Sequence, residues 1–196
     1  IIILFLLLQQ FDKILVFGVL DPLSLSYFAI AFMLSSIVPL IISPLIGYLT
    51  PEIYQSVEVN LKKRKKYFSQ LIIVQFILLL TPLIILNLYL DPILNLWLEN
   101  SVNSVDISSF LMPLSLSALS MSLLNSLKVL FIGENKIALL KKPLVMVLLL
   151  FILLTTILYV NILTVEAYLY CWSISMFFLT IYFYIVFFKK NYILIA

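Results

Sequence analysis

The stretch KKRKKYFSQLIIVQFILLLTPLIILNLYLD, residues 62–91, decides the fold. Five consecutive basic residues precede an uncharged, mostly apolar run over 67–90, and Asp91 follows it directly. A continuous run of this length matches an α-helix crossing a hydrocarbon core of about 30 Å, at about 1.5 Å per residue. A transmembrane β-strand would instead show shorter segments of alternating apolar and polar residues. The stretch therefore predicts a transmembrane helix whose basic end lies on the cytoplasmic side.

The composition of the whole chain supports the same class. Of its 196 residues, 64% are hydrophobic and only 11% are charged, which is too little charge for the surface of a water-soluble domain. The chain has one cysteine, Cys171, and no histidine, so it lacks the commonest general base and metal ligand. We therefore expect a multi-pass, all-α protein of the cytoplasmic (inner) membrane. We expect it to be no enzyme, with no catalytic residue, no metal site, no cofactor and no nucleic-acid partner.

The uncharged apolar run recurs along the chain and predicts six transmembrane helices. We place these spans at about 2–20, 27–49, 67–90, 108–130, 143–161 and 166–188. In the connecting segments, lysine and arginine occur between spans two and three, between spans four and five, and after span six. The charged residues of the other loops are all acidic. This alternation predicts that both termini are cytoplasmic. Residues 1–196 then form a single six-helix transmembrane lobe.

Span one carries polar residues near its middle. Gln9, Asp12 and Lys13 lie three and four residues apart and so share one face of the predicted helix. A charge at the centre of a spanning helix costs about 2.5–3.5 kcal/mol, so this face should turn toward other helices or a water-filled cavity. Either it forms a polar contact between helices, or it binds a substrate or an ion.

Span four carries a stripe of small and polar residues at helical spacing, which includes Ser115, Ser122 and Asn125. One interpretation is close helix–helix packing, since small residues let helix backbones approach each other. The other is the wall of a wet cavity. On the second interpretation these three residues join those of span one as candidates for a substrate or ion cavity.

The basic run before span three is a second candidate feature, made of Lys62, Lys63, Arg64, Lys65 and Lys66. Basic residues beside a span set its orientation and attract anionic membrane lipids, by about 1 kcal/mol per residue near the surface. A more specific hypothesis is a basic cytoplasmic mouth that gathers a pyrophosphate-linked lipid.

The order of these features resembles a known family. The segment QQFDKILVFGVLDPLSLSYFAIAFMLSSIVPLIISPLIGYLTPEI, residues 9–53, is similar to a recurring segment of the polysaccharide and O-antigen flippases. These belong to the multidrug/oligosaccharidyl-lipid/polysaccharide exporter superfamily. The positions that match the family pattern are Asp12, Tyr27, Ala29, Ala31 and Pro51. PILNLWLEN (92–100) and LFIGENK (130–136) also resemble family segments, whereas TVEAYLYCW (164–172) departs from the family's small residues.

The resemblance implies a fold of two six-helix lobes around a central cavity that opens alternately to each side. This chain would be one lobe, on the Asp12 match the C-terminal one. It would need a missing N-terminal lobe or a second copy as partner, and the first residue, Ile1, agrees with a piece of a longer protein. The substrate implied is an undecaprenyl-diphosphate-linked oligosaccharide, with Lys13 attracting phosphate and Asp12 coupling to an ion or holding Lys13.

Three other functions stay open at this stage. A cation-coupled multidrug-type exporter would use a buried carboxylate without a basic partner. An integral membrane glycosyltransferase or polymerase would need a long active-site loop, and the longest outer loop, 91–107, has three carboxylates and no base. A purely structural membrane subunit would use Asp12 and Lys13 only as contacts between helices.

Overall fold

The computed structural model describes residues 16, 18–56, 61–98, 104–133, 141–159 and 164–193. These residues are almost entirely helical and contain no strand. The helices are α1 (Pro22–Ser56), α2 (Leu61–Leu88), α3 (Leu90–Leu98), α4 (Ser104–Gly133), α5 (Lys141–Tyr159) and α6 (Val165–Ile193). The predicted all-α class is confirmed for this part of the chain.

Four of these helices are long and apolar enough to cross a membrane. Their spanning segments are Pro22–Leu49 in α1, Lys66–Leu88 in α2, Ser104–Lys128 in α4 and Val165–Val186 in α6. In α5 the apolar segment Leu144–Ile157 is shorter. The first predicted span, 2–20, lies outside the described residues except at 16 and 18–20. The chain is thus a helical protein suited to a membrane, and the number of six spans stays a prediction.

Two segments that the sequence analysis assigned to loops are partly helical. The outer segment 90–106 contains the short helix α3, and α2 begins at Leu61, so the basic run lies in the first turns of α2. Lysine and arginine are good helix formers, and their long side chains can reach the headgroup layer from a helix end. The basic run is therefore an extension of the spanning helix rather than a flexible loop.

The start of α1 shows how the sequence sets a helix boundary. Asp21 Oδ2 accepts hydrogen bonds from the backbone N–H groups of Leu23 (3.1 Å) and Ser24 (3.2 Å). Pro22 occupies the first helical position, where its missing N–H costs nothing. The pKa of Asp21 lies below its usual 3.8, mainly because the Ser24 hydroxyl donates a hydrogen bond to the carboxylate and secondly because the Ser24 N–H does so. The carboxylate thus stays ionised at neutral pH and caps the helix.

The bundle is organised around α4. In the most apolar 18-residue window of its spanning segment 67% of the residues are buried, against 24% and 22% in the corresponding windows of α1 and α2. Helix α4 packs most extensively against α1 and α6 and also contacts α2, whereas α5 packs mainly against α6. Aromatic pairs anchor both main interfaces, with ring centroids 5.9 Å apart for Phe28–Phe110 and for Phe131–Phe183. Helix α4 is therefore the central helix of the described part.

Contacts between helices also give their relative directions. Phe28 and Ser43 of α1 contact Phe110 and Ser122 of α4 in the same order along both helices, so these two run parallel. Helices α4 and α6 also run parallel, because Ser173 bonds to Pro113 and Thr180 to Ser120. Helix α2 runs opposite to α4, since Gln75 contacts Ser122 and Asn87 contacts Ser115. Successive membrane crossings require such an alternation.

The outer surface of the bundle is apolar, and several polar side chains are inside. Leu40 of α1 is 76% exposed and Met146 of α5 is 71% exposed, whereas Gln75 and Ser120 are completely buried. A water-soluble bundle would show the reverse arrangement. Lipid chains solvate the outer side chains, and contacts between helices satisfy the inner polar ones.

Candidate functional site

Three polar side chains from three helices meet inside the bundle. Ser43 Oγ of α1 and Ser122 Oγ of α4 lie 2.7 Å apart and share a hydrogen bond. Gln75 Nε2 of α2 donates to Ser122 Oγ (3.2 Å) and to the Ser122 carbonyl oxygen (3.3 Å). We call Ser43, Gln75 and Ser122 the three-helix junction. It joins α1, α2 and α4 through neutral groups only.

The three-helix junction lies deep in the spanning part of the bundle. Gln75 is nine residues beyond Lys66, the start of the α2 span, which corresponds to about 14 Å along the helix. Since the hydrocarbon core is about 30 Å thick, Gln75 lies close to its middle. The serine side chains are small enough for the backbones of α1 and α4 to approach closely there.

Gln75 has one polar atom without a partner. Its side chain is completely buried, and its Oε1 accepts no hydrogen bond among the described residues. A carbonyl oxygen can only accept a hydrogen bond, so the Ser122 carbonyl fixes the amide with Nε2 toward α4 and leaves Oε1 as an available acceptor. A buried unsatisfied acceptor costs about 1–3 kcal/mol. The junction therefore has the capacity to accept one further hydrogen bond.

A second polar contact joins α2 to α4 closer to the C-terminal end of α2. Asn87 Nδ2 donates to Ser115 Oγ (3.1 Å) and to the Leu83 carbonyl oxygen of its own helix (2.8 Å). Pro82 lies between Gln75 and Asn87 and removes one backbone donor from α2. The two polar contacts thus hold α2 against α4 on both sides of a proline.

Helix α6 reaches α4 through hydroxyl groups that bond to backbone carbonyls. Ser173 Oγ donates to the Pro113 carbonyl oxygen (2.7 Å), and Thr180 Oγ1 donates to that of Ser120 (3.2 Å). Both hydroxyls also bond to carbonyls one turn earlier in α6. These contacts fix the register of α6 on α4 without placing a charge in the membrane.

The structure places part of the cavity residues predicted from the sequence. Ser115 and Ser122 are buried at the α2–α4 contacts, and Asn125 is half-buried and accepts a hydrogen bond from Lys128 Nζ at 3.3 Å. Ser115 and Ser122 therefore act in helix packing in this conformation. Gln9, Asp12 and Lys13 lie outside the described residues.

The basic run is described only in part. Its backbone belongs to the first turns of α2, and Lys66 is exposed. The remaining side chains lie outside the described part; they are those of Lys62, Lys63, Arg64 and Lys65. The basic cytoplasmic mouth stays a prediction.

Two cavities of the bundle have apolar linings. One, of about 900 Å³, lies between α5 and α6, and the other, of about 290 Å³, lies among α2, α4 and α6. The first is lined by residues such as Leu149 and Phe178, and the second by residues such as Phe76 and Leu123. Neither of these two cavities is lined by the serine stripe of α4.

The site residues predicted from the sequence did not include Gln75, Asn87 or Thr180, although all three make contacts between helices. The signal for Gln75 was present, because a lone amide in the run LIIVQFILLL needs a partner on another helix. The pairing itself has no signal in a single sequence, since it depends on which helices become neighbours.

Comparison with known proteins gives no match: no family model, no curated protein and no solved structure matches this chain. The described residues also contain no group of histidine, cysteine or acidic side chains arranged to hold a metal ion.

Proposed function

We propose that this chain forms one six-helix lobe of a transporter that flips lipid-linked oligosaccharide repeat units across the cytoplasmic membrane. The lobe would work by alternating access in the synthesis of surface polysaccharide. The resemblance of 9–53 to the polysaccharide flippases supports this, together with four helices long enough to span a membrane. The carrying observation is the three-helix junction, a buried polar contact near mid-membrane depth.

The depth and chemistry of the three-helix junction suit a transporter. Transporters built from helical repeats bind their substrates near the bilayer midplane, between helices. In membranes a neutral hydrogen bond between helices contributes about 0.6 kcal/mol on average, so breaking the three at this junction costs about 2 kcal/mol. An opened conformation that lies only about 2 kcal/mol above the closed one stays populated, as alternating access requires.

Asp12 and Lys13 complete the proposed cavity. Lys13 would attract the diphosphate of the substrate, and Asp12 would couple to an ion or hold Lys13 in place. The second wall of the cavity would come from an N-terminal lobe or from a second copy of this chain. The substrate in this proposal is an undecaprenyl-diphosphate-linked oligosaccharide. The alternatives are a cation-coupled multidrug-type exporter and an integral membrane glycosyltransferase or polymerase.

Deleting the gene in its own host should make lipid-linked repeat units accumulate on the cytoplasmic face and remove the surface polysaccharide. Restoring the wild-type gene should reverse both effects. Asp12→Asn and Lys13→Ala should each reduce export by about tenfold or more, because each removes a charge-assisted contact of about 1.5–3 kcal/mol. Export is measured as surface polysaccharide per cell, normalised to the amount of inserted protein.

The matched control is Ser108→Ala, an exposed position whose hydroxyl bonds only within its own helix, to the Val105 carbonyl. It should restore export fully. Full export with both charge variants, at normal insertion, would remove Asp12 and Lys13 from the mechanism. A deletion strain with intact polysaccharide and raised drug sensitivity would favour the multidrug-type exporter.

A further inference from the structure

An open apolar groove of about 900 Å³ lies between α5 and α6. Its walls include Met146 and Leu149 of α5, which are 71% and 61% exposed, and Phe178 of α6, which is 65% exposed. Such side chains on the outer surface of a bundle suited to a membrane are in contact with lipid chains rather than with water. The groove is therefore a concave surface offered to the bilayer.

The groove is shorter than the thickness of one leaflet of the hydrocarbon core. On α5 it extends from Met146 to Leu153 and on α6 from Ser175 to Tyr182, about 10 Å in each case. One leaflet contributes about 15 Å to the hydrocarbon core. Its α5 wall begins four residues, or about 6 Å, after Lys142. The groove thus opens into the leaflet on the side where α5 begins.

Two lysine pairs lie at that end of the groove. Lys141 and Lys142 form the start of α5, and Lys189 and Lys190 lie near the end of α6. Helices α5 and α6 are neighbours that run antiparallel. Phe151 contacts Trp172, and the groove joins the first half of α5 to the later part of α6. Both pairs therefore belong to the same side of the membrane, where positive charge attracts lipid phosphates.

We propose that the α5–α6 groove is a binding site for an anionic phospholipid of the cytoplasmic leaflet. Its acyl chains pack along α5 and α6, and its phosphate lies on the side of the membrane on which the two lysine pairs occur in the sequence. Tyr182, half-exposed at the groove's cytoplasmic end, has the amphipathic ring typical of the membrane interface. The deep end has no comparable group, since the Ser175 hydroxyl already bonds to the Cys171 carbonyl.

A bulk phospholipid fits this groove better than the transported lipid does. The groove extends over one leaflet only, and α5 packs mainly against α6, whereas the three-helix junction belongs to α1, α2 and α4. A lipid held here would cover the outer face of the α5–α6 pair. The proposal does not depend on the flippase function.

Binding is tested on the delipidated full-length protein, titrated with dioleoyl phosphatidylglycerol and followed by native mass spectrometry. We expect one tight adduct, and binding of dioleoyl phosphatidylcholine about tenfold weaker or more. Each lysine contributes about fivefold, so Lys141→Ala with Lys142→Ala, or Lys189→Ala with Lys190→Ala, should weaken the binding of phosphatidylglycerol by about twenty-five-fold. Leu149→Trp should fill the groove and remove the adduct.

The matched control for the groove is Leu40→Trp, at a 76% exposed position of α1 outside it, which should bind as wild type does. Equal binding of the two phospholipids would overturn the proposal, as would a normal adduct with Leu149→Trp. Displacement of phosphatidylglycerol by equimolar undecaprenyl phosphate would assign the groove to the transported lipid instead. Normal phospholipid binding by a wild-type protein that does not export the lipid-linked oligosaccharide would contradict only the proposed function.

Discussion

Replacing Ser122 with leucine should reduce the free energy of unfolding by about 2–4 kcal/mol. Its hydroxyl lies 2.7 Å from Ser43 Oγ and 3.2 Å from Gln75 Nε2, so a branched apolar side chain has no room there. The substitution would remove the hydrogen bonds and force α1 and α2 away from α4. The free energy is measured by denaturant titration of the protein in mixed micelles.

Two matched variants separate packing from hydrogen bonding. Ser122→Ala keeps the space and should cost only about 0.6–1.7 kcal/mol, the range for hydrogen bonds between membrane helices. Ser108→Leu makes the same chemical change at an exposed position of α4 and should stay within about 0.5 kcal/mol of wild type. Equal stabilities of the two leucine variants would show that α1, α2 and α4 do not pack at Ser122.

Replacing Trp172 with alanine should cost about 3 kcal/mol and loosen α5. The ring is completely buried and meets Phe151 edge-on, with the centroids 5.0 Å apart. The value is at the low end of the range for Trp→Ala in soluble cores, because lipid rather than water solvates separated helices. Since α5 packs mainly against α6, hydrogen exchange should quicken in α5 and stay slow in α4.

The control for Trp172→Ala is Phe178→Ala on the same helix. Phe178 is 65% exposed in the α5–α6 groove, so its removal should change the free energy of unfolding by about 0.5 kcal/mol or less. A uniform rise of hydrogen exchange over all helices in Trp172→Ala would contradict a local role at the α5–α6 contact.

The fold class could be predicted because a membrane imposes a simple length rule. The predicted spans 27–49, 67–90, 108–130 and 166–188 lie almost entirely within α1, α2, α4 and α6. The ends of helices were less well predicted, since α1 continues to Ser56 and α2 already begins at Leu61. Hydrophobicity marks where the hydrocarbon core ends, and a helix continues past that point while its backbone hydrogen bonds remain favourable.

The site was harder to predict than the spans. The stripe of α4 was visible from residue spacing, and helix packing was one of its two interpretations. Its partners, Ser43, Gln75 and Asn87, follow from the arrangement of α1 and α2 around α4, on which hydropathy carries no information. Lipid-facing and helix-facing positions are both apolar here, so the pattern does not tell them apart.

The most direct test of the proposed function is transbilayer movement of an undecaprenyl-diphosphate-linked oligosaccharide in proteoliposomes. The full-length protein is reconstituted with the lipid in both leaflets, and a membrane-impermeant glycosidase is added outside. With the protein present, we predict that the sugar of both leaflets is cleaved, and that Asp12→Asn limits cleavage to the outer leaflet. Cleavage limited to the outer leaflet with the wild-type protein would contradict the flippase function.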